Sequence, residues 1–100
     1  MRIPREVKVG PHSYLVQFNK MLRPDDGLTG TISYRKQTID IDPLLPPSEM
    51  DVVFWHEIIH GLNHNFSLGL SEDTTDNLAV GLTQFLDDNF KETLNWEEIE

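Results

Sequence analysis

Apolar and polar positions alternate along the first part of the chain and then switch to helical spacing. Val7 and Val9 sit between charged neighbours, Gly10-Pro11 interrupts, and Tyr14, Val16 and Phe18 alternate again before Asn19. This pattern predicts two strands joined by a short turn, with His12 a solvated residue of that turn. Arg23-Pro24-Asp25-Asp26-Gly27 is rich in turn formers and reads as a loop. Beyond it, Thr29 to Tyr34 and Thr38 to Asp42 alternate with Ile32, Tyr34, Ile39 and Ile41 as the apolar members, which predicts a second hairpin turning at Arg35-Lys36-Gln37.

Pro43 to Pro47 holds three prolines and cannot continue a sheet, so it serves as a connector. Ser48 with Asp51 forms a capping pattern that starts a helix running to about Asn63. Ser71 caps a second helix, in which Leu78, Leu82, Phe85 and Leu86 recur at helical spacing up to Asn89 and are expected to be core. Lys91 to Glu100 is acidic and reads as a mobile tail or a short appended element that docks through Leu94, Trp96 and Ile99. Strands followed by helices predict an α+β fold: a small antiparallel sheet of about four strands with two helices on one face. Residues 1–90 form the expected single domain and 91–100 an acidic C-terminal tail.

At 100 residues the chain has room for one domain. The formal net charge of -9 comes mostly from the second half. Such a field repels phosphate backbones and anionic lipid, and the Lys and Arg residues are scattered, so no nucleic-acid partner is expected. There is no cysteine, which leaves His, Asp and Glu as the available metal ligands. Neither a signal-like apolar run at Met1 to Glu6 nor a bilayer-length apolar span occurs, so the expectation is a soluble cytoplasmic protein without a membrane partner.

Composition thus bounds the chemistry, and one pentapeptide supplies it. His56-Glu57-Ile58-Ile59-His60 reads H-E-x-x-H inside an apolar segment that includes Val52, Val53, Phe54, Trp55 and Leu62. Residues four apart on a helix lie on one face about 6 Å apart along the axis, so His56 and His60 can turn imidazole nitrogens toward one metal ion. Zinc accepts such ligands tetrahedrally, and a catalytic site keeps one position for water. Glu57, next to the first histidine, can take that water's proton. In competition with this stands the bland reading of two satisfied histidines and a solvated glutamate, yet an apolar helix rarely carries three such groups unless they are paired or ligating.

A third ligand is required. His64 continues the four-residue step but lies about 12 Å along a straight helix from His56, too far to share its metal. Glu72 and Asp76, one turn apart on the second helix, suit better: the first can ligate while the second accepts the free ring N–H of a ligand histidine. Glu72 also fits an ordinary place at a helix N-terminus, where the macrodipole favours acids, and Asp73 fits it better still.

H-E-x-x-H at 56–60 followed by Glu72-Asp73-Thr74-Thr75-Asp76 resembles the gluzincin arrangement, and Asn77-Leu78-Ala79 is similar to the second helix of ImmA/IrrE-like metallopeptidases. The compact layout over residues 5 to 90 resembles small zincin-like proteins common in phages and prophages. The resemblance implies a zinc-dependent metalloendopeptidase, with Zn2+ held by His56, His60 and Glu72, Glu57 as general base and Asp76 behind a ligand. It also implies a peptide or protein substrate. The family's larger members carry a histidine or tyrosine that steadies the oxyanion; His64, Tyr34 and His12 are the candidates here. The other function in view is a catalytically weak or inactive zinc-binding module that holds a regulatory protein partner.

Overall fold

The computed structural model describes residues 1–99, with backbone alone at 98 and 99. Both hairpins form where alternation predicts them: β1 (Arg2–Ile3) is followed by β2 (Glu6–Val9) and β3 (His12–Phe18), which pair antiparallel around Gly10 at φ 61°. A short helix α1 (Leu22–Asp26) replaces the expected loop and ends at Gly27 in the left-handed region. The second hairpin is β4 (Gly30–Ser33) with β5 (Thr38–Ile41). Helices α2 (Pro47–Phe66) and α3 (Glu72–Phe90) come next, and β6 (Asn95–Ile99) ends the described chain.

The class is α+β, but the main sheet is mixed rather than antiparallel. Its order is β2-β3-β5-β4, and the central pair β3–β5 is parallel. The reason lies in the path. The chain leaves β3 through α1, enters β4 at the sheet edge, and folds back so that β5 slots in beside β3. The strand taken inside is the one with two isoleucines, Ile39 and Ile41, both fully buried, whereas every residue of β4 is only half-buried.

The core joins Val9, Tyr14, Val16, Ile39 and Ile41 of the sheet to Met50 and Phe54 of α2, with Ile3, Leu45, Leu94 and Trp96 closing it. On α2, Met50, Phe54, Glu57 and Gly61 are buried at helical spacing, and this stripe meets the sheet. Two glycines make the approach close. A Cβ on Gly61 would lie 3.1 Å from Ile32 and 3.3 Å from Val9, and one on Gly30 would collide with Val53 of α2 and reach 3.4 Å from Glu57 Oε2.

Three further expectations are corrected. Helix α2 begins at Pro47 without a side-chain cap, because proline at the first position already has helical φ. Asp51 is not part of a cap: it is buried, with its carboxylate accepting from Trp96 Nε1 at 2.6 Å and from the Leu94 amide at 3.2 Å. The segment after α3 therefore folds back, and β6 pairs parallel with β1. Docking by the Ile99 side chain lies outside the described residues. Finally, the α3 stripe read as core faces outward. Leu78 and Phe85 are half exposed, Leu82 is exposed, Leu86 is only half-buried, and the fully buried α3 residues are Thr75 and Ala79. Small side chains occupy the inner face because α3 lies close along α2. The Ser71 cap is as expected, its hydroxyl accepting from the Thr74 amide at 3.1 Å.

Among the described residues no helix is long and apolar enough to cross a membrane.

Two substitutions test this packing. Asp51→Ala leaves two buried donors without an acceptor, at about 1–3 kcal/mol each, so denaturant unfolding should show a loss of about 2–4 kcal/mol; a change below about 0.5 kcal/mol would contradict the clamp. Gly30→Ala drives a methyl into Val53, whose branched side chain is stiff in a helix. The expected cost is about 1–3 kcal/mol, and an unchanged melting temperature would show that β4 does not need its glycine.

Candidate metal centre

The site lies where α2 and α3 face each other. Helix periodicity divides the pentapeptide: Glu57 belongs to the stripe facing the sheet and is only 5 % exposed, whereas His56 and His60 turn toward α3 and stay half-buried. The Ser71 cap fixes the start of α3 so that Glu72 opens its first turn and Asp76 follows one turn later.

All five predicted site residues come together. His56 Nε2 lies 3.0 Å from Glu72 Oε1, and His60 Nε2 lies 3.3 Å from Glu72 Oε2. The two imidazoles meet edge to face with ring centres 4.5 Å apart. His56, Glu57 and His60 form one group of side chains able to hold a metal ion, and His56, Glu72 and Asp76 form another, the ligand atoms of each within 4.8 Å of one another.

Asp76 differs from its expected place. It does not hold the free ring nitrogen of a ligand histidine: its Oδ1 sits 2.7 Å from His56 Nε2, the nitrogen that also faces Glu72. The other nitrogen, Nδ1, is taken by Glu57 Oε2 at 3.2 Å. His56 thus stands between carboxylates on both sides. Burial pulls its pKa down, but the hydrogen bond and charge of Glu57, with Glu72 and Asp76 behind, outweigh it and hold the imidazole above its ordinary value. Glu57 is also shifted upward, by burial first, against the opposing pull of His56 and His60.

The donor set fits a metal ion. Ligands at 2.0–2.2 Å around a tetrahedral centre are about 3.3 Å apart, close to the separations from Glu72 to the two histidines. The pairs add little as ion pairs, since the Glu72 and Asp76 side chains are 63 % and 56 % exposed. Such pairs contribute about 0–1 kcal/mol. Stability therefore does not explain why Glu72 and Asp76 gather at the two histidines.

Beside the site opens a cavity of about 420 Å³, lined by residues 27–30, by Val53, His56 and Glu57 of α2, and by Asp76, Ala79 and Val80 of α3. One edge strand of the main sheet, β4, starts at its rim with Gly30. Of the three oxyanion candidates, His12 lies on β3 in neither metal-holding group, with Nδ1 3.2 Å from Gln37 Nε2. His64 joins neither metal-holding group and instead stacks on Tyr34, ring centres 3.7 Å apart. Tyr34 donates its hydroxyl to the His60 carbonyl at 3.1 Å, and its pKa is raised by burial and then by nearby Tyr14 and Glu57. Sequence reasoning takes Gly30 to Tyr34 as the strand at the edge of the cleft but misses the close approach of Gly30 to Val53 and Glu57, although a glycine within a strand pattern is a signal of it.

Comparison with known proteins adds no relative: no family model, curated protein or solved structure matches the chain.

Proposed function

We propose that the chain is a zinc metallopeptidase of the H-E-x-x-H type. The observation that carries this reading is the contact of Glu72 with both histidines, Oε1 3.0 Å from His56 Nε2 and Oε2 3.3 Å from His60 Nε2, next to a buried glutamate that lines an open cavity. His56, His60 and Glu72 would hold the metal. Zinc bound there supplies a Lewis acid for the scissile carbonyl and makes water a nucleophile near neutral pH.

The residues of the chain do the rest. Glu57 takes a proton from the attacking water and passes it to the leaving amine nitrogen, a role helped by the upward shift that burial gives its carboxyl. Its contact with His56 Nδ1 fixes that ring's orientation. An extended peptide is bound along β4, whose outer edge offers main-chain groups beside the cavity.

One observation favours the second reading, a zinc-binding module without turnover that holds a protein partner. Asp76 Oδ1 stands at the same nitrogen as Glu72, and a fourth protein ligand closes a zinc shell as structural sites are closed.

Cleavage rate and zinc content of wild type and Glu57→Gln, measured side by side on a peptide library, separate the two. The amide keeps the shape but cannot accept the proton, so the peptidase reading expects full zinc and a rate lower by about 10²- to 10⁴-fold. Wild-type protein with full zinc and no turnover would favour the module, and Glu57→Gln cleaving at the wild-type rate would remove Glu57 from the reaction.

A further inference from the structure

We propose that α3 depends on the bound metal for its order, so that loading the metal assembles one wall of the cavity as well as the centre itself. The inference rests on the metal-centre reading, whether or not that centre turns over peptide. By sequence α3 is a weak helix. Asp73, Thr74, Thr75, Asp76 and Asn77 follow one another in its first half, all low on the helix scale. Gly81 stands near its middle, where a Cβ would meet nothing within 4 Å, so the glycine serves no close approach and only weakens the helix. Asp87 and Asp88 lie in the last turn, at the negative end of the macrodipole, with no basic residue beside them.

Packing adds little to hold it. Fifteen of its nineteen residues are exposed, Thr83 and Leu86 are half-buried, and only Thr75 and Ala79 are buried. Among the described residues none of α3 belongs to the hydrophobic core. A helix in a protein is stabilised mainly by its buried apolar face, and here that face is two small side chains. The interface also gathers charge of one sign: Glu57, Glu72 and Asp76 all meet His56, and neither α2 nor α3 has a Lys or Arg. A divalent ion held by His56 and His60 of α2 and Glu72 of α3 supplies the missing charge and joins the two helices. Both ends of α3 are fixed independently of it. The Leu70 amide donates to Asn63 Oδ1 at 3.0 Å and its carbonyl accepts from Asn63 Nδ2 at 3.4 Å, while Asp51 holds Leu94 and Trp96. Loss of order is therefore confined to α3 and leaves the sheet and α2 in place. Asp76, Ala79 and Val80 line the cavity, so this same helix completes it.

The test is amide hydrogen exchange of the full chain, treated with a chelator and then measured with and without Zn2+. Zinc should slow the amides of α3 by about tenfold or more, while those of β3 and β5 change little. Gly81→Ala gives a second readout, because the substitution lies five residues beyond Asp76, more than a turn away, and changes no ligand. It should slow α3 exchange in the metal-free chain. By reciprocity it should also bind zinc more tightly, by up to about fivefold on the usual difference between glycine and alanine in a helix, as read by competition with a chromophoric chelator. Zinc binding to a wild-type chain whose α3 amides exchange equally slowly without it overturns this inference and leaves the metal centre standing. Zinc affinity unchanged in Gly81→Ala does the same. A wild-type chain that binds no zinc removes the metal-centre reading, and the inference falls with it.

Discussion

The close packing of α3 on α2 is the constraint on which the site depends. Thr75 and Ala79 are almost fully buried between the helices, and side chains this small let the backbones approach. Only at that distance do Glu72 and Asp76, on short side chains, reach imidazole nitrogens that project from the neighbouring helix. A larger residue at 79 would separate the helices by more than the 3.0–3.3 Å contacts from Glu72 to the histidines can absorb. Thr75 meets the cost of a buried hydroxyl by donating to the Ser71 carbonyl at 3.0 Å.

A second closeness, between α2 and β4, determines what the glutamate of the motif can do. Gly30 brings the edge strand over Val53 and Glu57, so that the carboxyl is withdrawn from water yet still lines a cavity. Burial raises its proton affinity, and the adjacent histidines restrain the rise. Helix α2 is in turn held at its start by Asp51, which ties it to the last strand through Trp96 and Leu94. The clamp lies more than a turn before His56 and keeps the metal-facing residues of α2 in register with the sheet.

How much of this the sequence displayed depends on the range of the interaction. The H-E-x-x-H group was legible because its geometry is set within one helix, and Glu72 and Asp76 because Ser71 marks where α3 must begin. Alternation showed which residues of β3 and β5 face inward, but not that β5 is placed between β3 and β4, since facing and neighbourhood are independent in a sheet. Asp51 suits a helix start as well as a clamp, and the choice was made by Trp96, far along the chain. For α3 the helical period was right and the buried side was not: Thr75 and Ala79 share the period of Leu78, Leu82 and Phe85, and the demand for close approach selected the smaller set.

The central claim is that α2 and α3 together hold one metal ion through His56, His60 and Glu72. Zinc bound per chain, measured after purification and dialysis against buffer, tests it in wild type, Glu72→Ala and His64→Ala. The account predicts about one zinc in wild type and in His64→Ala, and loss of most of it in Glu72→Ala, because two imidazoles alone do not make a zinc site. Equal zinc in wild type and Glu72→Ala, or its loss on changing His64, would contradict it.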